Sequence, residues 1–389
     1  MPRRSRVLVV YPDLRPPGGA AGVTAWMLQA LKDEYETTLL TLSACDLDAV
    51  NACFGTSLAP RDVRVLRAWA SLADVLDRIP LPLALLRNHL LYARCRRIGA
   101  DFDLVVNTTN EAWLGRPSIQ YVHFPWGYWP RPAVELRWFH RLPGVLRAYY
   151  ACCARLSAFD RSRMGENLML ANSDWTGAKV RECYGGTTVT LYPPVVDGVS
   201  PPAWGERERA FLCVGRIAPE KRLEEIVRIL ARVRRTQPEL RLHLVGARSR
   251  VHAAYYRRVR SLVAAHAGWL TLDESADRAA LAQSMARHRY AIHGMVDEHF
   301  GMAVAEMARA GCIVFAHDSG GQREITADPR LLYADDDDAV AKIEAVLADE
   351  AGQPQIGAAL RERGSRFSSE RFASTLRTLV AQRLQATTS

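Results

Sequence analysis

The chain has 389 residues, 49% of them hydrophobic and 24% charged, with a net charge of +9. That balance excludes a disordered chain, and the absence of any apolar run of about 18 residues excludes a helical membrane span. Eight cysteines with no C-x-x-C pair and no His/Cys cluster at zinc spacing exclude a zinc ribbon, and they suit a reducing, cytoplasmic setting.

The N-terminus, MPRRSRVLVVYPD, is basic, but its apolar run is too short for a signal sequence and reads as a first β-strand. Short β-branched runs then alternate with helical patterns, which predicts parallel α/β layers. Strands are expected at 6–12, 35–42, 103–109, 118–124, 167–173 and 188–194, with helices between them such as 23–33 and 175–185. Residues 192–209 hold four prolines and two glycines and read as a linker. A second alternation follows, with strands at 210–216, 240–246, 269–274, 290–295 and 312–317. The run DDDD at 335–338 reads as a solvated loop leading into a helix, and 368–385 as one amphipathic helix capped by Ser368 or Ser369. Adjacent Cys152 and Cys153, in an apolar helical stretch, read as buried free thiols. Two α/β halves joined by a linker predict a ligand between them, beyond the C-terminal strand ends.

Three stretches carry chemistry. In YPDLRPPGGAAGV, adjacent Gly18 and Gly19 lie between the first strand and helix, where backbone N–H groups can approach an anion. The run is not G-x-G-x-x-G, and no acid ends the second strand, which disfavours a nicotinamide dinucleotide. In FLCVGRIAPEKRLEEIV, Arg216 and Lys221 follow a strand ending at Gly215. A guanidinium and an ammonium so placed suit a diphosphate, or else they are solvated cations paired with Glu220 and Glu224. In VDEHFGMAVAEMARAG, Glu298 sits in the loop before a helix and Glu306 lies eight positions on. A carboxylate repels phosphate but accepts hydrogen bonds from sugar hydroxyls. One ligand with a diphosphate between two polyols satisfies all of these residues, and a nucleotide-diphosphate sugar has that form. The plainer alternative makes Glu298 a helix N-terminal acid and Glu306 a solvent-facing one.

Together GRIAPEKR, EHFGMAVAEMARAG and HDSGGQREI resemble the signature of the family-4 retaining glycosyltransferases, which have the GT-B fold of two Rossmann-like domains. GGAAGV, YVHFPW and NSDWTGAKVRECYGGTTVTLYPPV extend the likeness over most of the chain. NSDWT…YPPV and DEHFGMAVAEMARAG…AHDSGG are similar in particular to the eukaryotic mannosyltransferases that extend a lipid-linked oligosaccharide from GDP-mannose. The resemblance implies an acceptor domain over 1–195, a donor domain over 196–365, and a tail helix over 366–389 packing back on the first domain.

It further implies that Arg216 and Lys221 hold the diphosphate and that Gly18 and Gly19 back the distal phosphate. Glu306 binds ribose hydroxyls, and Glu298 with His299, Phe300, Gly301 and Met302 orients the transferred sugar. His123 contacts a hydroxyl of that sugar, and base recognition falls near Leu272, Asp273 and Glu274. The implied transfer is retaining and needs neither cofactor nor metal, because the departing diphosphate deprotonates the acceptor and cationic side chains replace an ion.

The expected partners are a nucleotide-sugar donor, with a GDP-sugar favoured, and a soluble small-molecule acceptor. A phospholipid or polyprenyl-linked acceptor is the alternative, reached by peripheral membrane contact. Residues 61–97 hold eight arginines against three aspartates, and 131–163 seven against two acids, either as solvated helix faces or as surfaces for anionic lipid. A nucleotide-sugar epimerase, an NAD oxidoreductase and a non-enzymatic membrane or nucleic-acid binder compete with transfer, and no nucleic-acid partner is expected.

Overall fold

The computed structural model describes residues 3–15, 18–78, 83–129, 143–196, 198–248 and 250–388. They divide into two compact α/β units, Met1–Pro194 with Ser369–Ser389, and Val195–Ser368.

The first unit contains seven strands: β1 (Arg6–Val10), β2 (Glu36–Thr41), β3 (Val63–Arg67), β4 (Leu104–Asn107), β5 (Ile119–Val122), β6 (Leu168–Ala171) and β7 (Thr188–Thr190). Its first six helices are α1 (Gly19–Leu31), α2 (Leu47–Phe54), α3 (Ala70–Arg78), α4 (Ala84–Ile98), α5 (Pro143–Ser157) and α6 (Asp174–Tyr184). All strand pairs are parallel, in the order β3-β2-β1-β4-β5-β6-β7. The run VLVV of β1 shows why the sheet is covered on both faces. Val7 and Val9 enter one apolar cluster with Leu28 of α1, while Leu8 and Val10 enter another with Leu91 and Cys95 of α4.

The second unit has six strands: β8 (Glu208–Val214), β9 (Arg241–Val245), β10 (Leu270–Asp273), β11 (His288–His293), β12 (Ile313–His317) and β13 (Leu332–Tyr333). They are parallel in the order β10-β9-β8-β11-β12-β13. Its helices are α7 (Leu223–Val233), α8 (Ala253–Ala265), α9 (Arg278–Arg287), α10 (Met302–Arg309), α11 (Gln322–Thr326), α12 (Asp336–Ala348) and α13 (Gln353–Gly364). In α7 the apolar positions Leu223, Ile226, Val227 and Leu230 fall on one helical face and are buried, with Glu224 and Glu225 in the favourable first turn. In each sheet the chain reverses direction of travel beside its first strand, at β1/β4 and at β8/β11. The carboxyl ends there form the crevice where doubly wound sheets take ligands.

The last helix, α14 (Ser369–Thr388), belongs to the first unit. Phe372, Leu376 and Val380, spaced by four, are buried in the same cluster as Val7 and Leu28. Burying three such side chains is worth about 2 kcal/mol apiece as an upper figure.

Several local expectations need correction. Strand β3 was not anticipated, because an edge strand exposes Arg64 and Arg67 and so lacks the apolar run of a central one. Helix α1 starts at Gly19 rather than 23. Asp335 is the N-cap of α12 and Asp336–Asp338 are its first turn, so the acidic run is helix rather than loop. Cys152 is exposed and only Cys153 is buried. The presumed linker contains Arg207, which is 5% exposed. Its guanidinium donates to the carbonyls of Met285, Ala286, Ala310 and Gly311, at the C-terminal ends of α9 and α10. Two helix ends, each with partial negative charge, thus meet on one cation. Within the basic segment 131–163, residues 131–142 lie outside the described residues.

Candidate active site at the end of β8 and β11

The carboxyl end of β8 runs into Gly215, Arg216 and the short 3₁₀ turn Pro219–Lys221. Backbone crowding dictates glycine here: a Cβ on Gly246, at the end of β9, would lie 1.8 Å from the Gly215 carbonyl oxygen. The Lys221 stem lies over Gly215, with Cγ, Cδ and Cε each 3.6 Å from where a Cβ would stand. That path carries Lys221 across to the neighbouring strand end, where Nζ meets Glu298 Oε2 at 2.6 Å and Met295 Sδ at 3.4 Å.

The same Glu298 oxygen accepts a hydrogen bond from His293 Nε2 at 3.0 Å. His293 ends β11 and is 1% exposed, and the side chains of Lys221 and Glu298 are 16% and 15% exposed. Burial by itself would raise the Glu298 pKa, but the Lys221 charge and the His293 hydrogen bond outweigh it and hold the carboxyl well below the usual range. Burial and the Lys221 charge push the His293 pKa down against the pull of Glu298. The neutral imidazole carries its proton on Nε2, because a carboxylate only accepts.

The loop carrying Glu298 is clamped from behind by SGGQ at 319–322. Asp297, with φ 53°, donates its N–H to Ser319 Oγ at 2.7 Å, and Gly321 N–H donates to the Glu298 carbonyl at 2.7 Å. Gln322 Nε2 bridges the carbonyls of Met295 and His317. Gly320 has φ 68°, and a Cβ there would stand 2.3 Å from the Glu298 carbonyl oxygen. Met302 opens α10 behind an N-cap Gly301 at φ 105°, with no acid in the first turn and no side-chain cap. Such an end favours an anion or a hydroxyl oxygen.

The other expected residues are placed as follows. Arg216 is 70% exposed and pairs with Glu220 at 3.1 Å, the pairing the plainer reading offered, while Glu224 pairs with Arg258. Glu306 is not solvent-facing. Its side chain is 19% exposed and 3.5 Å from Arg278, and burial raises its pKa although Arg278 opposes this. Leu272 and Asp273 end the edge strand β10, where Asp273 Oδ1 accepts from the Ser275 N–H at 2.9 Å. Glu274 accepts from Tyr256 and Arg260. In the first unit, Gly18 is the N-cap of α1 and Gly19 its first residue. His123 Nε2 donates to the Thr108 carbonyl at 3.0 Å. Direct hydrogen bonds join Lys221, Glu298 and His293, whereas Glu306 pairs with Arg278 instead. Among the described residues no group of three His, Cys, Asp or Glu could hold a metal ion.

His293, Ser319, Gly320 and Gln322 were not picked out individually from the sequence. The run HDSGGQREI was the available signal, since adjacent glycines in a strand-to-helix turn imply a close backbone approach.

Residues 200–364 match the family described as "Glycosyl transferases group 1". The match lies within the second unit. Among known proteins, this chain is 28% identical over 169 residues to a GDP-Man:Man(3)GlcNAc(2)-PP-Dol alpha-1,2-mannosyltransferase of Candida glabrata, covering 40% of this chain and 34% of that one. Its likeness to the enzyme of the same name from Dictyostelium discoideum is 28% over 231 residues, covering 53% and 45%. The chain therefore spans less than half the length of these relatives. Sucrose-phosphate synthase of Thermosynechococcus elongatus has the same fold, with a TM-score of 0.72 at 19% identity over 98% of this chain and 100% of that one. WaaG, a glycosyltransferase of lipopolysaccharide biosynthesis, matches with a TM-score of 0.63 at 14% identity over 95% and 99%. The fold is that of the GT-B glycosyltransferases. Among the described residues no helix is long and apolar enough to cross a membrane.

Proposed function

We propose that the protein is a retaining, metal-independent hexosyltransferase that uses a GDP-sugar, with GDP-mannose favoured by the names of the relatives. The observation that carries this reading is the Lys221–Glu298–His293 cluster at the β8/β11 strand ends, beside the uncapped start of α10. An ammonium has three donors, so Lys221 can keep Glu298 and still offer N–H to a diphosphate oxygen. Glu298, held ionised, accepts hydrogen bonds from sugar hydroxyls rather than binding phosphate.

In the proposed reaction the bond from the anomeric carbon to the diphosphate oxygen breaks as the acceptor oxygen bonds to that carbon on the same face. The acceptor proton passes to the departing diphosphate. Lys221 and Arg216 stabilise the charge that develops on the leaving group, which is the role a metal ion fills elsewhere. Glu306 is proposed to bind ribose, Leu272–Glu274 the base, Gly18 and Gly19 the distal phosphate, and His123 a hydroxyl of the sugar.

Our first reading of the acceptor is a soluble small molecule. A second reading, a lipid-linked acceptor met at a membrane surface, is favoured by the names of the relatives. It is also favoured by α5, which exposes Val145, Tyr150 and Leu156 among arginines. Thermal unfolding with GDP, UDP, ADP and dTDP, each with and without EDTA, tests the donor. A midpoint rise with GDP alone, unchanged by EDTA and lost in Lys221→Met, supports the reading, and no rise with any nucleotide sinks it. Transfer from GDP-mannose to dolichyl-linked against soluble acceptors then separates the two acceptors.

A further inference from the structure

Two charged side chains in the second unit stand where the helices that carry them do not favour them, and they meet. Glu306 lies in the second turn of α10, a helix whose Val304, Ala305, Met307 and Ala308 are buried. Taking a carboxylate out of water is costly unless a countercharge is supplied. Arg278 is the first residue of α9, at the helix end whose partial positive charge disfavours a cation. Asp277, the cap before it, accepts from the Ala280 N–H at 2.8 Å through Oδ1. Among the described residues, Glu306 is the carboxylate in ion-pair contact with Arg278. Each charge is thus placed for the other rather than for its own helix.

The contact is also incomplete. Arg278 Nη1 and Glu306 Oε1 are 3.5 Å apart, longer than an ordinary hydrogen bond, and among the described residues no other side chain donates to this carboxylate. An ionised carboxylate offers about four acceptor positions, so Glu306 can take two hydroxyl donors without leaving Arg278. Burial pushes the Glu306 pKa up, and Arg278 is the charge that opposes it. Because β10 ends at Asp273 and α9 begins at Arg278, the pair also ties the loop after β10 to α10. A carboxylate oriented by one cation and otherwise open is the acceptor that a vicinal diol needs.

We propose that Arg278 is a positioning residue for the nucleotide, holding the Glu306 carboxylate toward the two ribose hydroxyls of the donor. The inference rests on the nucleotide-sugar reading, with Glu306 as the ribose ligand, and is indifferent to the base. The competing role is a strut that holds α9 against α10.

The test is isothermal titration of the full chain with GDP, UDP and the 2′-deoxy form of each. The parent should bind its preferred ribonucleotide about tenfold more tightly than the 2′-deoxy form, as loss of a hydrogen bond to a charged group implies. In Arg278→Met and in Glu306→Gln that preference should shrink to about twofold, the scale of a neutral hydrogen bond. Arg278→Lys should restore most of it. Arg287→Met, at the other end of α9 where Arg287 pairs with Glu208, should match the parent. Far-ultraviolet circular dichroism confirms that each variant is folded. Loss of a strut would weaken both forms of the nucleotide alike, so the ratio separates the two roles. A ratio in Arg278→Met equal to that of the parent overturns the inference and leaves the strut, and so does a parent that binds both forms equally. In either case nucleotide binding itself persists and the transferase reading stands. Binding of UDP in place of GDP, with an Arg278-dependent ratio, keeps the inference and removes only the choice of GDP. No binding of any of the four nucleotides removes the transferase reading and this inference with it.

Discussion

Lys221 Nζ and Glu298 Oε2 lie 2.6 Å apart although 77 positions separate them in the chain. The contact exists because β8 and β11 are neighbours in the sheet, so the loops after them open side by side. Removing one member of a mostly buried pair leaves the other charge uncompensated. Lys221→Met should therefore destabilise the second unit by about 3 kcal/mol, and Lys221→Met/Glu298→Gln should recover more than half of that. Denaturant unfolding of the parent, both single variants and the double variant gives the coupling. Additive single effects would show that the pair is merely adjacent.

Gly320 and Gly185 separate two costs that a glycine can hide. Both have positive φ, 68° and 69°, but a Cβ on Gly185 meets nothing within 4 Å, whereas on Gly320 it collides with the Glu298 backbone. Gly185→Ala should cost only backbone strain, about 1–3 kcal/mol, because φ 69° with ψ −164° is a conformation essentially restricted to glycine. Gly320→Ala should cost clearly more and should abolish the GDP-induced rise in unfolding midpoint, because the Glu298 loop must move. Equal losses in the two variants would show that the 319–322 clamp does not position Glu298.

What was legible in the sequence was whatever depends on neighbouring residues. Strands β1 and β12 read as continuous apolar runs because parallel strands are buried on both faces. The positions Arg216, Lys221, Glu298 and Glu306 stood out through motif spacing. That Lys221 reaches Glu298, while Arg216 stays with Glu220, depends on strand order and on the bare surface of Gly215, which no local pattern encodes. His293 looked like any strand residue, since its role follows from standing behind Glu298 rather than from its own flanks. Arg207, in a proline-rich run, read as linker because its four acceptors come from helices 78 to 104 positions away.

Arg207 supplies a stability prediction that involves no ligand. Arg207→Met keeps much of the volume but strips the carbonyls at the ends of α9 and α10 of their donor, and each buried unsatisfied carbonyl costs about 1–3 kcal/mol. The second unit should lose at least about 3 kcal/mol, with the earliest hydrogen exchange at the C-terminal turns of α9 and α10. Arg207→Lys should fall between the two, since an ammonium cannot reach four acceptors. Unfolding free energies matching the parent would mean that water replaces the guanidinium.

Glu111 gives the first unit a pH dependence of opposite sign to that of the Glu298 cluster. In the second unit, His293 and Glu298 both have lowered pKa values in the fold, so the unfolded chain takes up protons first. Stability there falls as pH drops below 6.5 for His293 and further below 4.5 for Glu298. Glu111 is 2% exposed, and burial pushes its pKa up to about 7 against the Tyr184 and Gly127 hydrogen bonds. Its Oε2 has no hydrogen-bond partner among the described residues. Here the folded state holds the proton that the unfolded chain releases, so this contribution is complete below pH 4.5 and is lost as pH rises through about 7. The loss is about 3 kcal/mol at most. Glu111→Gln, which keeps the acceptor for Tyr184 and Gly127 but cannot ionise, should flatten the unfolding free energy of the first unit between pH 4.5 and 7. A slope equal to that of the parent over this window would show that the carboxyl ionises at its ordinary pKa and that its burial costs nothing.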